Sequence, residues 1–568
     1  MTLTQWILFT LAIQVIHFLG TWKLYKVAGY KSWQAAVPIY NAIILMKIIK
    51  RPLWWVILLF IPTINLILFG VIWVETLRSF GKNSAKDTFL GIITFGLYIY
   101  TINYSSNPTH FPDRSLQAKT GLGETVSSIL FAIVAATIVH NYLIQPYIIP
   151  TGSLEKSLLI GDFLFVSKFH YGARAPMTAV SFPMVHDTIP VIKTKSYLKK
   201  PQLPYFRLPA LQKIKRNDIV VFSWPADTVR QFFVREKRVD KPIDKKSNYV
   251  KRCVGIPGDT LEIIDGFIHT NGIKNILPER AEVQYTFNAY AKKGVSSRKL
   301  LDEGFEDFDR IYKIENITES SFQQIIPYIT GRRGTADNFY VYTGSKGLPT
   351  DLIRKLGLRV SETLEVDKQL TITLEEADKL RKITWIDSVK QRINSIKVPN
   401  ESFFPNKIPY NWNEDNFGPL LIPKKEMSIE LTRDNLPLYK KIIQEYEGNQ
   451  LELTPTQIKI NGEIASTYTF KKDYYWMMGD NRHRSEDSRY WGFVPEDHIV
   501  GKPIFIWFSI DGINDGIKNW RIRWDRVFTT VGGAGERTSY FPHFAIFVVL
   551  WQTFVIIRRK RKAKAVKK

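Results

Sequence analysis

The chain has 568 residues, 45% of them hydrophobic, with 78 Lys and Arg against 53 Asp and Glu and a formal charge of +25; its apolar residues crowd the first 150 positions and a short stretch near the end, which implies a membrane part joined to a soluble part. The basic excess flanks apolar segments instead of forming aromatic-interleaved clusters, so a membrane surface, and not nucleic acid, is the expected partner. The single cysteine, Cys253, excludes an intrachain disulfide and a zinc site of thiolates.

Met1 to Gly20 is an apolar run followed by Trp22, Lys23 and Lys26. It has neither the basic start nor the small-residue cleavage site of a secretory signal and reads as a retained anchor. A second run, Pro52 to Val74, stands behind Lys47, Lys50 and Arg51 and is broken by Pro62 and Asn65, so it either crosses once with a kink or re-enters. A third, weaker run covers Phe89 to Ile102. The fourth, Val126 to Ile149, leads straight into the first chemical motif, with Arg114 and Lys119 ahead of it favouring a cytoplasmic start. Near the end, Phe544 to Ile557 precedes Arg558, Arg559, Lys560, Arg561, Lys562 and Lys564, which holds the tail in the cytoplasm. Both ends place Pro150 to Tyr540 outside. Arg78, Lys82 and Lys86 fit less well, because three single crossings would put them on the outer side.

Beyond the fourth run the chain reads mainly as strands, Asp218 to Trp224 and Tyr249 to Ile256 among them. Asp265-Gly266 and Asn271-Gly272 bracket a hairpin, and Asn461-Gly462 marks another. Between them lies a more charged region with helical stretches: Thr373 and Glu376 form a capping box, and Leu436 to Glu447 closes on Gly448. The expected division is an N-terminal membrane region over 1–120, a helix leading to the site over 121–149, a β-rich catalytic domain over 150–273 and 454–540, a mixed α/β insert over 274–453, and a C-terminal crossing with its basic tail over 541–568.

Three segments carry the chemistry. Pro150 to Gly172 opens with Thr-Gly-Ser, a triplet that by itself caps helices or builds turns. Here it stands where a span meets water, within reach of a partly embedded substrate. In Asn248 to Asp259 an extended strand points Lys251, Cys253 and Gly255 one way and Val250, Arg252 and Val254 the other. A neutral, desolvated Lys251 can act as a base, although a Lys-Arg pair is more commonly just solvated. Met477 to Pro495 alternates charges of both signs. Asp480, Asn481, Glu486 and Asp487 depart from calcium-loop spacing, and Arg482, Arg484 and Arg489 oppose a cation, so no metal or other cofactor is called for.

Together with Arg216 to Phe222 and the Ile522 to Arg526 stretch, these segments resemble bacterial type I signal peptidase, a membrane serine protease with a Ser/Lys dyad. The resemblance implies a multi-pass protein of the bacterial cytoplasmic membrane with a mainly β, extracytoplasmic catalytic domain that removes signal peptides from exported preproteins. It implies Ser153 as nucleophile, Lys251 as general base, Thr151 with the Ser153 N–H as oxyanion hole, and Ser485 as the residue orienting the lysine. Asp480 with Arg252 and Asp487 with Arg489 are expected as structural ion pairs. Ile149, Leu154, Leu158, Tyr249 and Val250 are expected to shape shallow pockets for small side chains. The implied partners are signal peptides and membrane lipid, with the export machinery an open option for the first three runs. Two departures stand out: Leu154-Glu155-Lys156-Ser157 replaces the family's Met-x-Pro-Thr, and His483-Arg484 replaces its Asp-Asn. They leave room for an inactive membrane-tethered scaffold or chaperone. A thiol enzyme using Cys253 and a Ser-His pair using His483 rank lower.

Overall fold

A computed structural model describes residues 3–566 except 106, 118–119, 229–237, 316, 336–337 and 397. Lys119 and the side chains of Lys562 and Lys564 thus lie outside the description. The N-terminal part holds α1 (Leu3–Val27), α2 (Tyr40–Ile48), α3 (Ile64–Ser79) and α4 (Ala85–Ile93), followed by α5 (Gly121–Ile138), which a π turn extends to Leu143. Thr4–Val27, Gly121–Leu143 and a C-terminal segment, Phe541–Arg561, are long and apolar enough to cross a membrane.

The second apolar run folds back on itself. Pro62 ends its first arm, and the 16 residues of α3 span about 24 Å at 1.5 Å per residue, short of a ~30 Å hydrocarbon core. Both ends of the run meet at Glu75, whose carboxylate lies 3.0 Å from Arg51, 2.5 Å from Arg114 and 3.7 Å from Arg78. The third run behaves likewise. It breaks into α4 and Ile99–Asn103, and Asn103 Oδ1 accepts the N–H groups of Lys23 and Leu24 at 3.0 and 3.2 Å. Leu24, Ile44, Ile64, Ile72, Ile99 and Ile102 share one apolar core, so these short helices hold one another.

In chain order the soluble part comprises β1 (Ile144–Ile148), β2 (Asp162–Ser167), β3 (Ile219–Ser223), β4 (Asn248–Gly255), β5 (Thr260–Ile264), β6 (Phe267–Thr270), β7 (Gln284–Val295), β8 (Glu365–Thr373), α6 (Leu374–Arg381), β9 (Ser388–Gln391), β10 (Phe417–Leu421), β11 (Tyr474–Met478), β12 (Val494–Pro495) and β13 (Ile499–Asp511). The long helix α7 (Phe541–Val566) follows. The principal sheet runs β1-β2-β13-β3-β4-β11-β12, antiparallel throughout. Alternating side chains feed two cores: Ile149, Leu164, Val221 and Ile506 in one, Phe222, Cys253, Met477 and Trp491 in the other. Each such residue contributes about 1.5–3 kcal/mol by leaving water. Gly161, at φ +88°, lets β13 cross close by, since a Cβ there would collide with the Ile510 carbonyl.

The turn chemistry appears as expected. Asp265-Gly266, Asn271-Gly272 and Asn461-Gly462 all have positive φ at both positions, the pattern of type I′ hairpins. Thr373 and Glu376 close their capping box at the start of α6. The region expected as one insert is composite. β8-β7-β9 with α6 form one unit, and a four-stranded sheet of Arg310–Glu315, Ile329–Thr335, Asn338–Thr343 and Arg359–Glu362 forms another. β10, however, pairs with β5, and Leu420, Ile422, Leu436 and Ile442 pack in one core with Val254, Trp476 and Phe493. The chain thus rejoins the catalytic β-structure at about residue 417 instead of 454.

Candidate active site

β1 delivers the chain to a 3-10 turn, Gly152–Leu154, that carries Ser153 at its centre, with Thr151 extended and exposed just before it. β4 supplies Lys251, the residue expected as base. Pairing of Val220 with Lys251 and of Ile219 with Arg252 fixes its register, and the strand's two-residue period sends these two cations to opposite faces. Lys251 is 2% exposed, and its Nζ lies 2.5 Å from Ser153 Oγ. The ammonium stands 5.5 Å from the centre of the Tyr249 ring. Burial pushes the Lys251 pKa down to about 8, and the carboxylates of Asp487 and Glu486 limit the fall.

The third motif wraps this pair. Arg252 grips Asp480 with Nε at 2.7 Å and Nη2 at 2.5 Å, and Arg489 grips Asp487 at 2.9 and 2.8 Å. Burial acts to raise both carboxyls, yet their arginines more than reverse this and hold them below the usual range. Asn481 donates its backbone N–H to the Ser153 carbonyl at 3.1 Å and its side-chain amide to the Gly152 carbonyl at 3.4 Å. Gly479 sits where the turn that carries Ser153 and Ser485 converge: a Cβ there would collide with Ser485 Oγ and with the Ser153 carbonyl oxygen. Ser485 is buried beside the dyad, and among the described residues its Oγ has no hydrogen-bond partner and does not reach Lys251.

Of the five apolar residues expected to shape substrate pockets, Tyr249 and Val250 keep exposed surface. Ile149, Leu154 and Leu158 are only 2, 1 and 0% exposed, packed into the core below the turn, so they form a floor and not a wall. His483 Nε2 lies 3.1 Å from Asp415 and is not brought to Ser153. Cys253 is fully buried, which pushes its thiol up, away from thiolate chemistry.

Four residues take contacts that the sequence reading did not give them. Asn481 and Gly479 lay within a quoted motif, and only their contacts reveal their positions. Glu155 folds its carboxyl over Gly152, and burial, reinforced by Asp307, pushes its pKa up to about 7. Lys156, at φ +69°, forms ion pairs with Glu376 of α6 and, at 3.6 Å, with Asp307. The start of β7 completes this junction: Glu282 N–H donates to Ser157 Oγ at 3.0 Å and Gln284 N–H to the Asp480 carbonyl at 2.9 Å. The insert therefore docks directly on the turn that carries Ser153.

Residues 122–317 and 421–508, together half of the chain, match the family described as signal peptidase, peptidase S26. Residues 33–111 match a family of unknown function (DUF5684). The chain is 25% identical over 396 residues to signal peptidase I of Buchnera aphidicola subsp. Acyrthosiphon pisum, covering 69% of this chain and 77% of that one. It is 22% identical over 420 residues to signal peptidase I of Haemophilus influenzae, covering 72% and 75%. With signal peptidase I of Helicobacter pylori the figures are 24% over 416 residues, covering 72% and 92%.

Proposed function

This chain belongs to the signal peptidase S26 family, and from that premise we propose that it is a Ser/Lys endopeptidase removing N-terminal signal peptides from exported preproteins at the outer face of the bacterial cytoplasmic membrane. The observation that carries the reading is the buried Lys251 ammonium 2.5 Å from Ser153 Oγ. A lysine held near pKa 8 is neutral in an appreciable fraction of molecules at neutral pH, which a general base requires.

Ser153 Oγ attacks the scissile carbonyl as Lys251 takes its proton, and the resulting oxyanion is held by the Ser153 N–H and the Thr151 hydroxyl. Lys251 then hands the proton to the departing amine, leaving an ester on Ser153. Water, deprotonated by the same lysine, hydrolyses the ester. Tyr249 and Val250 border the subsite for small side chains, and Ser485 steers Lys251 once substrate excludes water. Arg252 with Asp480 and Arg489 with Asp487 hold the frame.

For topology, crossings by α1, α5 and α7 with residues 52–105 folded back toward their entry side place Lys47, Arg51, Arg78, Lys82, Lys86 and Arg114 on one side together with the Arg558–Arg561 tail. That side is the cytoplasm by the positive-inside rule. It also relieves the misfit of Arg78, Lys82 and Lys86. The β domain then lies outside.

The test is cleavage of a fluorogenic Ala-x-Ala peptide by the full chain in detergent. Ser153→Ala and Lys251→Ala should each lose at least roughly 1000-fold in rate, as dyad and triad knock-outs do elsewhere. A folded Lys251→Ala enzyme cutting at the wild-type rate would overturn the reading.

A further inference from the structure

Between the outer end of α5 and the β domain lies a cavity of about 150 Å³, well above what a single water needs and roomy enough for a phosphate group. Neither Ser153 nor Lys251 lines it. Its walls include His140 and Asn141 from the last turn of α5, Lys168 just after β2, Arg174, and the pair Asp244-Lys245.

Carboxylates lie near two of the cations in this cavity, Asp244 and Asp187 near Lys245 and Asp244 and Asp497 near Arg174, but among the described residues none is paired with them and none acts on Lys168. Lys168 is only 9% exposed, and its backbone N–H is tied to the Leu143 carbonyl at 2.8 Å, which fixes it against the end of α5. Among the described residues its Nζ has no hydrogen-bond or ion-pair partner, and the charges that act on it, Arg174 and Arg207, are both positive. Arg174 donates to neutral acceptors, the Asp497 carbonyl at 2.7 Å and Ser223 Oγ at 3.2 Å. Lys245 Nζ donates to Ser181 Oγ at 2.6 Å. The carboxylate in the wall, Asp244, is taken up by the N–H groups of Met177 and Thr178 and by Thr178 Oγ1 at 3.0, 2.9 and 2.7 Å. Three cations therefore share a recess without an ion pair among the described residues. A buried cation in that state is costly unless an anion joins it.

We propose that this recess binds a phosphate-bearing anion, which Lys168, Arg174 and Lys245 contact together, and that its mouth at the end of a membrane helix suits the headgroup of an anionic phospholipid. Charge-assisted hydrogen bonds from these cations to phosphate oxygens would be the recognition chemistry. The bound lipid would brace α5 against the sheet that carries Ser153. Burial and the neighbouring cations leave Lys168 at about 7 without the anion, so binding would also restore its charge.

The test uses the delipidated full chain in a neutral detergent, comparing wild type, Lys168→Arg and Lys168→Met by thermal melting. Dihexanoyl phosphatidylglycerol, dihexanoyl phosphatidylcholine and inorganic phosphate are titrated separately. Wild type and Lys168→Arg should gain several degrees with phosphatidylglycerol, more than with phosphatidylcholine, whereas Lys168→Met should need on the order of ten times more lipid for any shift. Without ligand, Lys168→Met should melt no lower than wild type, because it removes an uncompensated buried cation. Should it nevertheless fail to fold, Lys245→Gln supplies the same comparison. If inorganic phosphate gives the whole Lys168-dependent shift, the site stands and its ligand is the free anion. Equal shifts in wild type and Lys168→Met, or no shift with any of the three probes, would overturn the proposal.

Discussion

A base in this site must be neutral to act, so the ionisation of Lys251 sets the pH dependence of the proposed reaction. Its pKa is about 8, down from 10.5, with burial the largest cause. The charged form therefore dominates below about pH 8, and kcat/KM should climb as pH rises through that value and level off above it. Glu486 is exposed, and its carboxylate favours the charged lysine. Glu486→Gln should therefore move this limb to lower pH by a fraction of a unit, read from a pH profile of peptide cleavage; a limb that stays put or moves upward would separate it from Lys251. Ser153 and Lys251 were singled out in the sequence through the family resemblance, since by local pattern alone a Thr-Gly-Ser turn and a Lys-Arg pair read as structural; the structure brings the two side chains together. Glu155 was not singled out. Its raised pKa depends on burial by a folded turn and on Asp307, a residue remote in sequence, and local pattern carries neither.

Among the elements, the short-range ones were readable. The three Gly-bearing hairpin turns and the Thr373 capping box are chemical signals written within four residues, and the structure has them where the sequence puts them. The return of the chain through β10 was not readable, because pairing of Phe417 with Ile263 joins segments far apart and β10 is itself an unremarkable apolar strand. The turn that carries Ser153 shows what a second set of non-local contacts does. Lys156 stands where the family has proline, but its φ of +69° and its ion pairs to Glu376 and Asp307 belong to a different turn, one held by the insert. Proline's φ is locked near −65°. Lys156→Pro should therefore not restore a family-like turn; it should lower the melting temperature and cut kcat/KM at least roughly tenfold, in keeping with the cost of a backbone mismatch. Lys156→Gly tolerates the positive φ and should lose much less, which separates backbone shape from charge. Equal activity of Lys156→Pro and wild type would show that the insert does not set the turn.

At the scale of the whole molecule, the apolar runs were visible as composition, but composition could not distinguish a crossing from a fold-back. That distinction comes from Glu75, which gathers Arg51, Arg78 and Arg114 and so closes the second run into a loop. Its consequence is a sidedness that the protein itself makes convenient to test. The single cysteine, Cys253, is fully buried at the centre of the sheet, so it should stay silent to thiol reagents in the folded chain. A cysteine placed at an exposed lysine can then be read without first removing the native thiol. Lys346 in the insert has a side chain 80% exposed, and Lys82 lies exposed after α3. In intact cells with a permeabilised outer envelope, a membrane-impermeant maleimide should label Lys346→Cys at once and Lys82→Cys only after the inner membrane is opened. Labelling of both from outside would mean that the second run crosses after all, and the positive charges from Arg78 to Lys86 would then face outward against the rule that orients the rest of the chain. Labelling of neither would place the insert on the inner side and remove the proposed catalytic turn from exported substrates.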